Sequence, residues 1–414
     1  MSVLLDKNYI FNSRIIMLIL ALLLGSIGVN AQNSLEAMIS KGLTRAEQQY
    51  LRMAWKMRDS SDLTPRSYTK QGKFQMGNKT IWTSGFFPGT LWYLYEASRN
   101  DSLRYYADRF TRFLEPIQWV TDNHDIGFII CCSYGNGYRL TKNADYLSPI
   151  LNAASSLSKR FNPTVGCIRS WGKINDKSNF RVIIDNMMNL ELLEYATKLS
   201  LDQKFDKIAR SHATTTMKNH FRKDYSCYHV VWYNQENGGV FQKKTHQGYA
   251  DESAWSRGQG WALYGFTMMY RETGEKQYLR HAEKVANYLL NELNMNSDCI
   301  PIWDFDAPDK WQERDASAGA IMASAFLELS TKTHNKKLAR KCQRMAIRQL
   351  KSLTSDEYLA RIGENGNFVL MHSVSNRPKG KEVDQPLTYA DYYYVEALLR
   401  LKKMISENKI VTDC

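Results

Sequence analysis

The dominant regularity of this chain is a helical period of apolar residues that recurs along nearly its whole length. The spacing predicts helices over 35–58, 84–98, 102–117, 125–139, 143–161, 181–199, 203–222, 253–273, 276–293, 315–333, 336–353 and 387–405. Strand-like patterns are scarce and short, the best being 227–233 and 239–243, separated by the turn-like Asn234–Gly239. A dozen helices of similar length and even spacing make six hairpins, each burying its apolar stripe against its neighbours. The pairs share no sequence repeat, which favours closure into an all-α (α/α)6 toroid over an open solenoid. Closing the ring gathers long loops at one end of the inner helices, and the stretches 60–84, 163–180, 223–250 and 356–386 are placed to line a cleft there.

No Pro/Gly/Ser-rich linker interrupts the pattern, so residues 32–414 are expected to form a single catalytic domain. Residues 1–31 read differently. Lys7 and Arg14 precede the apolar run IIMLILALLLG, and Val29-Asn30-Ala31 places small residues before a cleavage point ahead of Gln32. This is the pattern of a secretory signal, which implies export, in the first instance to a periplasm. The run is too short to span a bilayer comfortably, and no later stretch is long and apolar enough, so no stable membrane anchor is expected. Cleavage would remove two positive charges and one negative one, taking the formal charge from +13 to +12. Such a field concentrates anions. The basic residues are interspersed with acidic ones, with no run of like charge, so a nucleic-acid arm is not expected. The seven cysteines, Cys131, Cys132, Cys167, Cys227, Cys299, Cys342 and Cys414, are too few and too scattered for a disulfide framework or a metal site.

The stretch THQGYADESAWSRGQGW, Thr245 to Trp261, concentrates His246, Gln247, Trp255, Arg257, Gln259 and Trp261. Indole faces cover the CH side of a pyranose, a guanidinium fork holds a carboxylate, and amides or imidazoles fix hydroxyls. Together they describe a pocket for an acidic sugar, with Arg257 on the carboxylate and Trp261 on the ring. A structural alternative stands beside this, because indoles at helical spacing often belong to a core.

Two acidic clusters accompany the stretch. In Asn123-His124-Asp125-Ile126-Gly127-Phe128 and in Ile183-Ile184-Asp185-Asn186-Met187-Met188-Asn189, the aspartate opens an apolar helix, where it would also serve as an N-cap. The apolar neighbours of Asp185 should raise its pKa and keep a proton available, as a general acid requires. Asp125, beside His124 and Asn123, is expected to stay ionised. Two carboxyls held at different pKa values suit acid and base partners in sugar chemistry. His212, His220 and His334 read as ordinary helix-surface residues.

The motifs HDIGF, IDNMMNLELL and THQGYADESAWSRGQGWALYGF, with TSGFFPG upstream and EVDQPLTYADYYYVEALLR downstream, resemble glycoside hydrolase family 88, the unsaturated glucuronyl hydrolases. The resemblance covers nearly all of 32–414. It implies an (α/α)6 barrel with no metal and no organic cofactor. Its substrates are lyase-generated acidic di- or oligosaccharides with a C4=C5 double bond in the terminal uronic acid. The reaction implied is hydration of that vinyl ether. By motif, Asp185 would protonate C4 and then activate the water attacking C5, while Asp125 would hydrogen-bond ring hydroxyls and stabilise positive charge. The same resemblance places His229, Gln247, Trp255, Arg257 and Trp261 around the uronate, and His124 and Gln259, which lie within the same motifs, are further substrate-binding candidates. Trp82 and Trp171 become stacking walls, and Lys243 and Thr245 lie near the next sugar. Lys243 departs from the glycine frequent in the family, which touches aglycone preference more than catalysis. The loop from Met371 to Lys381 brings Ser375, Lys379 and Lys381 within reach of a sulfate on the second sugar, or leaves them as a solvated basic loop.

Three activities suit such a pocket: a glucuronyl hydrolase on glycosaminoglycan fragments of chondroitin, hyaluronan or heparin type, an unsaturated rhamnogalacturonyl hydrolase on pectin fragments, and a non-catalytic uronate binder. A related helical barrel also serves sugar epimerases, whose paired bases are usually histidines. Keeping both Asp125 and Asp185 favours a hydrolase. Oligomeric state is not legible in the sequence.

Overall fold

The computed structural model describes residues 32–410 except 61, 179, 295, 296, 309 and 311, so the proposed export segment and Cys414 lie outside the described residues. The chain is largely helical. Helix α1 covers 32–56, followed by strands β1 (Leu63–Tyr68) and β2 (Phe74–Asn78) and helices α2 (Phe86–Ser98), α3 (Asp101–Arg112), α4 (126–141, with a π turn at Cys131–Gly135) and α5 (Leu147–Ser158). Strand β3 (Phe180–Ile183) leads into α6 (Leu190–Ser200) and α7 (Gln203–Asn219). Strands β4 (Val230–Tyr233) and β5 (Val240–Lys244) precede α8 (Ser256–Thr273), α9 (Lys276–Leu293), α10 (Ala316–Lys332) and α11 (Lys336–Leu353). Strands β6 (Ser373–Asn376) and β7 (Lys381–Gln385) and helix α12 (Thr388–Ser406) complete the order.

The even-numbered helices form a closed inner ring, α2 against α4, α4 against α6, and so on to α12, which packs back on α2. The odd-numbered helices lie outside, each against an inner neighbour. The architecture is an (α/α)6 toroid. Composition decides which helix goes where. In α10 every residue from Ala316 to Ser330 is buried, and small and apolar side chains cover all faces of ASAGAIMASAFLELS. Its partner α11 buries one stripe, including Leu338, Cys342, Met345 and Leu350, and turns lysines and arginines to solvent.

The pattern at 181–199 resolves into three elements rather than one helix. Phe180–Ile183 pairs antiparallel with β4, Ile184–Asn189 forms a 3-10 turn, and only Leu190–Ser200 is α-helical. Val182 and Ile183 are β-branched and find strand partners in Val231 and Val230, which outweighs the helical period. The 102–117 pattern also divides, with α3 ending at Arg112 and a 3-10 turn over Glu115–Trp119 that carries Pro116 in its first turn. Loops 60–84 and 356–386 each contain a β-hairpin, β1 with β2 and β6 with β7.

His212 and His220 are fully buried, contrary to their reading as surface residues: His212 Nδ1 accepts from the Ile168 N–H at 3.0 Å, and His220 Nε2 lies 3.1 Å from the Val182 carbonyl. Each ties α7 to the segment before the 3-10 turn. Six cysteines are described, and all are free thiols. No helix among the described residues is long and apolar enough to cross a membrane.

Candidate active site

All six inner helices begin at the same end of the ring, and the ends of their aligned peptide dipoles make that end attractive to anions. Asp125 directly precedes α4 and Asp185 lies in the turn before α6. Trp255 and Asp315 directly precede α8 and α10, and Tyr389 lies in the first turn of α12. Asn189 binds the two carboxylate-bearing segments together. Its Oδ1 accepts the Phe128 N–H at 2.8 Å, and a Cβ on Gly127 would come within 2.6 Å of the Asn189 backbone. Glycine is required there by the close approach, which explains part of both motifs.

Neither aspartate caps its helix. Asp125 occupies the N-cap position of α4, yet its carboxylate makes no capping hydrogen bond, and Asp185 is inside its turn. Both are 9 % exposed. Burial pushes the Asp185 carboxyl up to about 7, opposed by the positive charge of Arg257 and raised further by the charge of Asp125. Asp125 also rises to about 7 through burial, against the Asn189 hydrogen bond and the charge of Arg160. The expectation that Asp125 stays ionised is thereby corrected: its polar neighbours in sequence do not hydrate it. Burial is the main cause of both rises, and the charge of Asp125 adds to that of Asp185.

Two histidines flank the pair as neutral rings. His124 is fully buried, with Nε2 3.3 Å from Asp125 Oδ1 and Nδ1 3.3 Å from Asn189 Nδ2; burial lowers its pKa to about 3. It stands behind Asp125 as a positioning group. His229 is held by its Nδ1, which accepts backbone N–H groups from His246 at 3.2 Å and Gln247 at 3.3 Å. That acceptor role puts the proton on Nε2, which lies 3.7 Å from Asp185 Oδ2. Burial holds the His229 pKa well below its ordinary value, so the ring stays neutral. Asp185 Oδ2 itself is buried without a hydrogen-bond partner.

The Thr245–Trp261 stretch surrounds Asp185, but several of its side chains do other work than expected. Trp261 is fully buried, edge-on to Phe128 and Tyr393 at 5.3 Å each, so it is core and not a sugar wall; its indole N–H opposes the rise of the Asp185 pKa. Trp255 stacks on His229 at 4.3 Å and is 3 % exposed, which fixes the imidazole rather than a sugar ring. Gln259 is committed to the Cys227 backbone, accepting its N–H at 2.7 Å and donating to its carbonyl at 3.0 Å. Thr245 Oγ1 accepts the Gly248 N–H at 2.8 Å inside the loop, and Lys243 lies over the Tyr228 ring at 4.5 Å. Gln259, Thr245 and Lys243 therefore support the site's frame.

Arg257 is where expected, with different partners. Its Nη1 donates to Asp315 Oδ2 at 3.0 Å and to the Val374 carbonyl, and Nη2 donates to the Ser375 carbonyl at 2.8 Å. The fork expected to clamp a carboxylate is occupied, leaving Nε without a partner and a buried positive charge beside Asp185. Gln247 Nε2 donates to the same Ser375 carbonyl at 2.9 Å, so Ser375 serves through its backbone. Asp315 was invisible as a partner in sequence, where it reads only as the start of a helix.

The walls are Trp82 and Trp171, both half-buried. Trp82 rests on Tyr389 at 4.8 Å. Trp171 packs against His246 at 5.0 Å, and its backbone pairs with Asn123 next to the Asp125 segment. Arg160 holds that wall, donating to the carbonyls of Arg169 at 2.9 Å, Ser170 at 3.2 Å and Gly172 at 3.1 Å. Lys379, on the β6–β7 turn, reaches His246 Nε2 at 3.4 Å. The arrangement offers a proton held on buried carboxyls, a fixed cation beside them, and aromatic sides.

The family model for Glycosyl Hydrolase Family 88 matches residues 56–403. This chain belongs to that family. Among family 88 relatives, the unsaturated glucuronyl hydrolase of Formosa agariphila is 44% identical over 326 residues, covering 78% of this chain and 80% of the relative. The crystal structure of an unsaturated glucuronyl hydrolase specific for heparin superposes with a TM-score of 0.86 at 46% identity, covering 91% of this chain and 100% of that one. A mutant unsaturated glucuronyl hydrolase from Streptococcus agalactiae, complexed with dGlcA-GalNAc6S, gives a TM-score of 0.72 at 27% identity over 89% of this chain and 92% of the other. This family 88 member is thus a glycosidase, and the toroid around its carboxyl pair matches those of solved relatives.

Proposed function

We propose that the protein removes the terminal 4,5-unsaturated uronic acid from lyase-generated glycosaminoglycan fragments by hydrating the C4=C5 bond. The observation that carries this is Asp185: buried, unpartnered at Oδ2, and raised to about 7, so that it holds a proton at neutral pH. Protonation of C4 by Asp185 moves the double-bond electrons and leaves an oxocarbenium between C5 and the ring oxygen. The conjugate base then takes a proton from water as its oxygen bonds to C5, which restores the acid. The hemiketal formed at C5 opens to a ketone, and the C1 hemiacetal that results collapses to an aldehyde and releases the aglycone as an alcohol.

Asp125 hydrogen-bonds the sugar hydroxyls in this reading, and its ionised fraction stabilises the cation at C5. The neutral His229 directs its Nε2–H towards Asp185 and favours the carboxylate once the proton has left. Arg257 supplies positive charge to the substrate carboxylate from its fixed position, with its Nε left without a partner in the protein. Trp82, Trp171 and Gln247 position the sugars.

Unsaturated uronates absorb in the near ultraviolet through the conjugated double bond, and hydration destroys that absorbance. Purified protein is expected to bleach unsaturated chondroitin, hyaluronan or heparin disaccharides and to leave unsaturated rhamnogalacturonan disaccharide untouched. No bleaching of any of them would overturn the proposal, and bleaching of the pectin fragment alone would move the substrate class. Residues 1–31 we infer to be an export signal serving a periplasmic enzyme. The N-terminal sequence of protein recovered from the periplasm is then expected to start at Gln32, and an intact Met1 would sink that inference.

A further inference from the structure

The aromatic surface does not stop at Trp171. A second neighbour of the ring is Arg181 of β3, whose guanidinium carbon lies 5.8 Å from the Trp171 ring centre and 5.0 Å from that of Trp232 on β4. Trp232 in turn meets Phe241 of β5 at 6.1 Å. Strand register explains the line. Arg181 pairs with Trp232 and Trp232 with Gln242, so these three side chains share one face of the three-stranded sheet. Phe180, Val182, Val231 and Tyr233 fill the opposite, buried face. The register shifts between Trp232 and Tyr233, which makes Phe241 an extra residue in β5, and a bulge of this kind re-aims a side chain. Phe241 is 58% exposed as a result.

The cation in this line has unused hydrogen-bonding capacity. Asp176, whose carboxylate the Arg181 charge helps to keep ionised, pairs with Arg169 at 3.8 Å, and among the described residues Arg181 forms no salt bridge of its own. Its Nε is buried and has no hydrogen-bond partner. The two indoles hold the guanidinium but give its Nε–H no acceptor, which a bound carboxylate or sulfate supplies. An exposed phenyl ring beside an indole is a stacking platform, and the line begins at a wall of the cleft.

We propose that the outer face of the β3–β4–β5 sheet is a distal subsite for the reducing-side sugars of a longer acidic oligosaccharide, with Trp232 and Phe241 stacking on sugar rings and Arg181 holding a carboxylate or sulfate. The inference rests on the reading of the cleft as an unsaturated uronate site and extends it to chain length. The occupant follows from continuity with the cleft and from the unpartnered Nε of Arg181.

The test measures binding, so that it does not depend on turnover. Unsaturated disaccharide and tetrasaccharide of the same glycosaminoglycan are titrated calorimetrically into the full chain carrying Asp185→Asn. The tetrasaccharide is expected to bind about tenfold more tightly. Adding Phe241→Ala or Arg181→Gln should remove most of that advantage while leaving disaccharide affinity within about twofold. Phe241 is exposed enough for its variant to fold even if the strand variant does not. Equal affinity for the two lengths, or a loss shared equally by both, overturns the distal subsite. Failure of either sugar to bind overturns it together with the cleft reading, whereas bleaching of disaccharide by the wild-type chain tests the cleft reading alone.

Discussion

Asp185 and Asp391 are both buried aspartates pushed up to about 7 by burial, and they sit in regions with opposite purposes. Asp391 lies at the seam of α1 and α12. Its Oδ1 accepts the Leu370 N–H at 2.8 Å, and its Oδ2 accepts the Val369 N–H at 3.0 Å and the Tyr50 hydroxyl at 3.1 Å. Every lone-pair direction it needs is taken by the fold. Asp185, at the floor of the cleft, has an unpartnered Oδ2, a neutral imidazole 3.7 Å away and the charge of Arg257 nearby. A raised pKa therefore does not distinguish a structural carboxyl from a reacting one. Unused hydrogen-bonding capacity does, because the fold has left it for something else.

The sharpest way to break this contrast is to exchange oxygen for nitrogen in each place. Asp185→Asn removes the proton that reaches C4 and is expected to lower kcat by about a thousandfold or more. Asp391→Asn is expected to leave kcat per folded molecule within about threefold, since it touches no part of the cleft. The measurement is bleaching of the unsaturated disaccharide, normalised to folded protein. Comparable losses of kcat in the two variants would erase the distinction between the regions.

Stability should respond in the reverse order. An asparagine at 391 turns an amide NH2 towards donors already fixed by Val369, Leu370 or Tyr50, and such a clash costs about 1–3 kcal/mol. At 185 the sign depends on pH. A carboxyl with a raised folded pKa favours the folded state fully below the ordinary carboxylate pKa, and that contribution is lost as pH rises through about 7. Above that value the wild-type chain must hold an ionised, poorly hydrogen-bonded Asp185. Asp185→Asn is expected to be more stable than wild type at pH 8, by roughly 1 kcal/mol, with the gain shrinking towards pH 5. Thermal melts across that range decide it, and a loss of stability at pH 8 would make Asp185 a structural carboxyl after all.

The same contrast shows where sequence reasoning succeeds. The ring of helices was legible because an inner helix such as α10 is apolar on every face and an outer one such as α11 on a single stripe. The strand at Phe180–Ile183 was not, because a run of valine and isoleucine satisfies either period until its partner strand is known. Asp185 stood out through its apolar neighbours in sequence. Asp125 was misjudged, since His124 is polar as a letter and dry and neutral in place. Arg257 was read as an open fork, and its Nη groups are engaged by the protein instead: Asp315 and the carbonyls of Val374 and Ser375 come from far along the chain, and no local spacing announces them. Trp261 fell to the core because an indole one turn inside an inner helix faces the ring and not the cleft.

The smallest expected effect tests whether the two cleft carboxyls act as a pair. The charge of Asp125 contributes to the rise of Asp185, so Asp125→Asn removes a negative neighbour and makes ionisation of Asp185 easier. The acid form is needed for protonation of C4, so kcat/KM of wild type should decline as pH rises through about 7. In Asp125→Asn the residual activity should decline earlier, by a few tenths of a pH unit to about one unit. Desolvation remains the larger cause of the raised pKa in the variant, which bounds the shift. His124 does not confound the reading, because its pKa of about 3 keeps it neutral across the range. An unchanged alkaline limb would mean that Asp185 titrates alone, leaving Asp125 to its contacts with the sugar. Turnover lost in Asp125→Asn but retained in Asp185→Asn would mean that Asp125 is the proton donor, and the roles of the two aspartates would have to be exchanged.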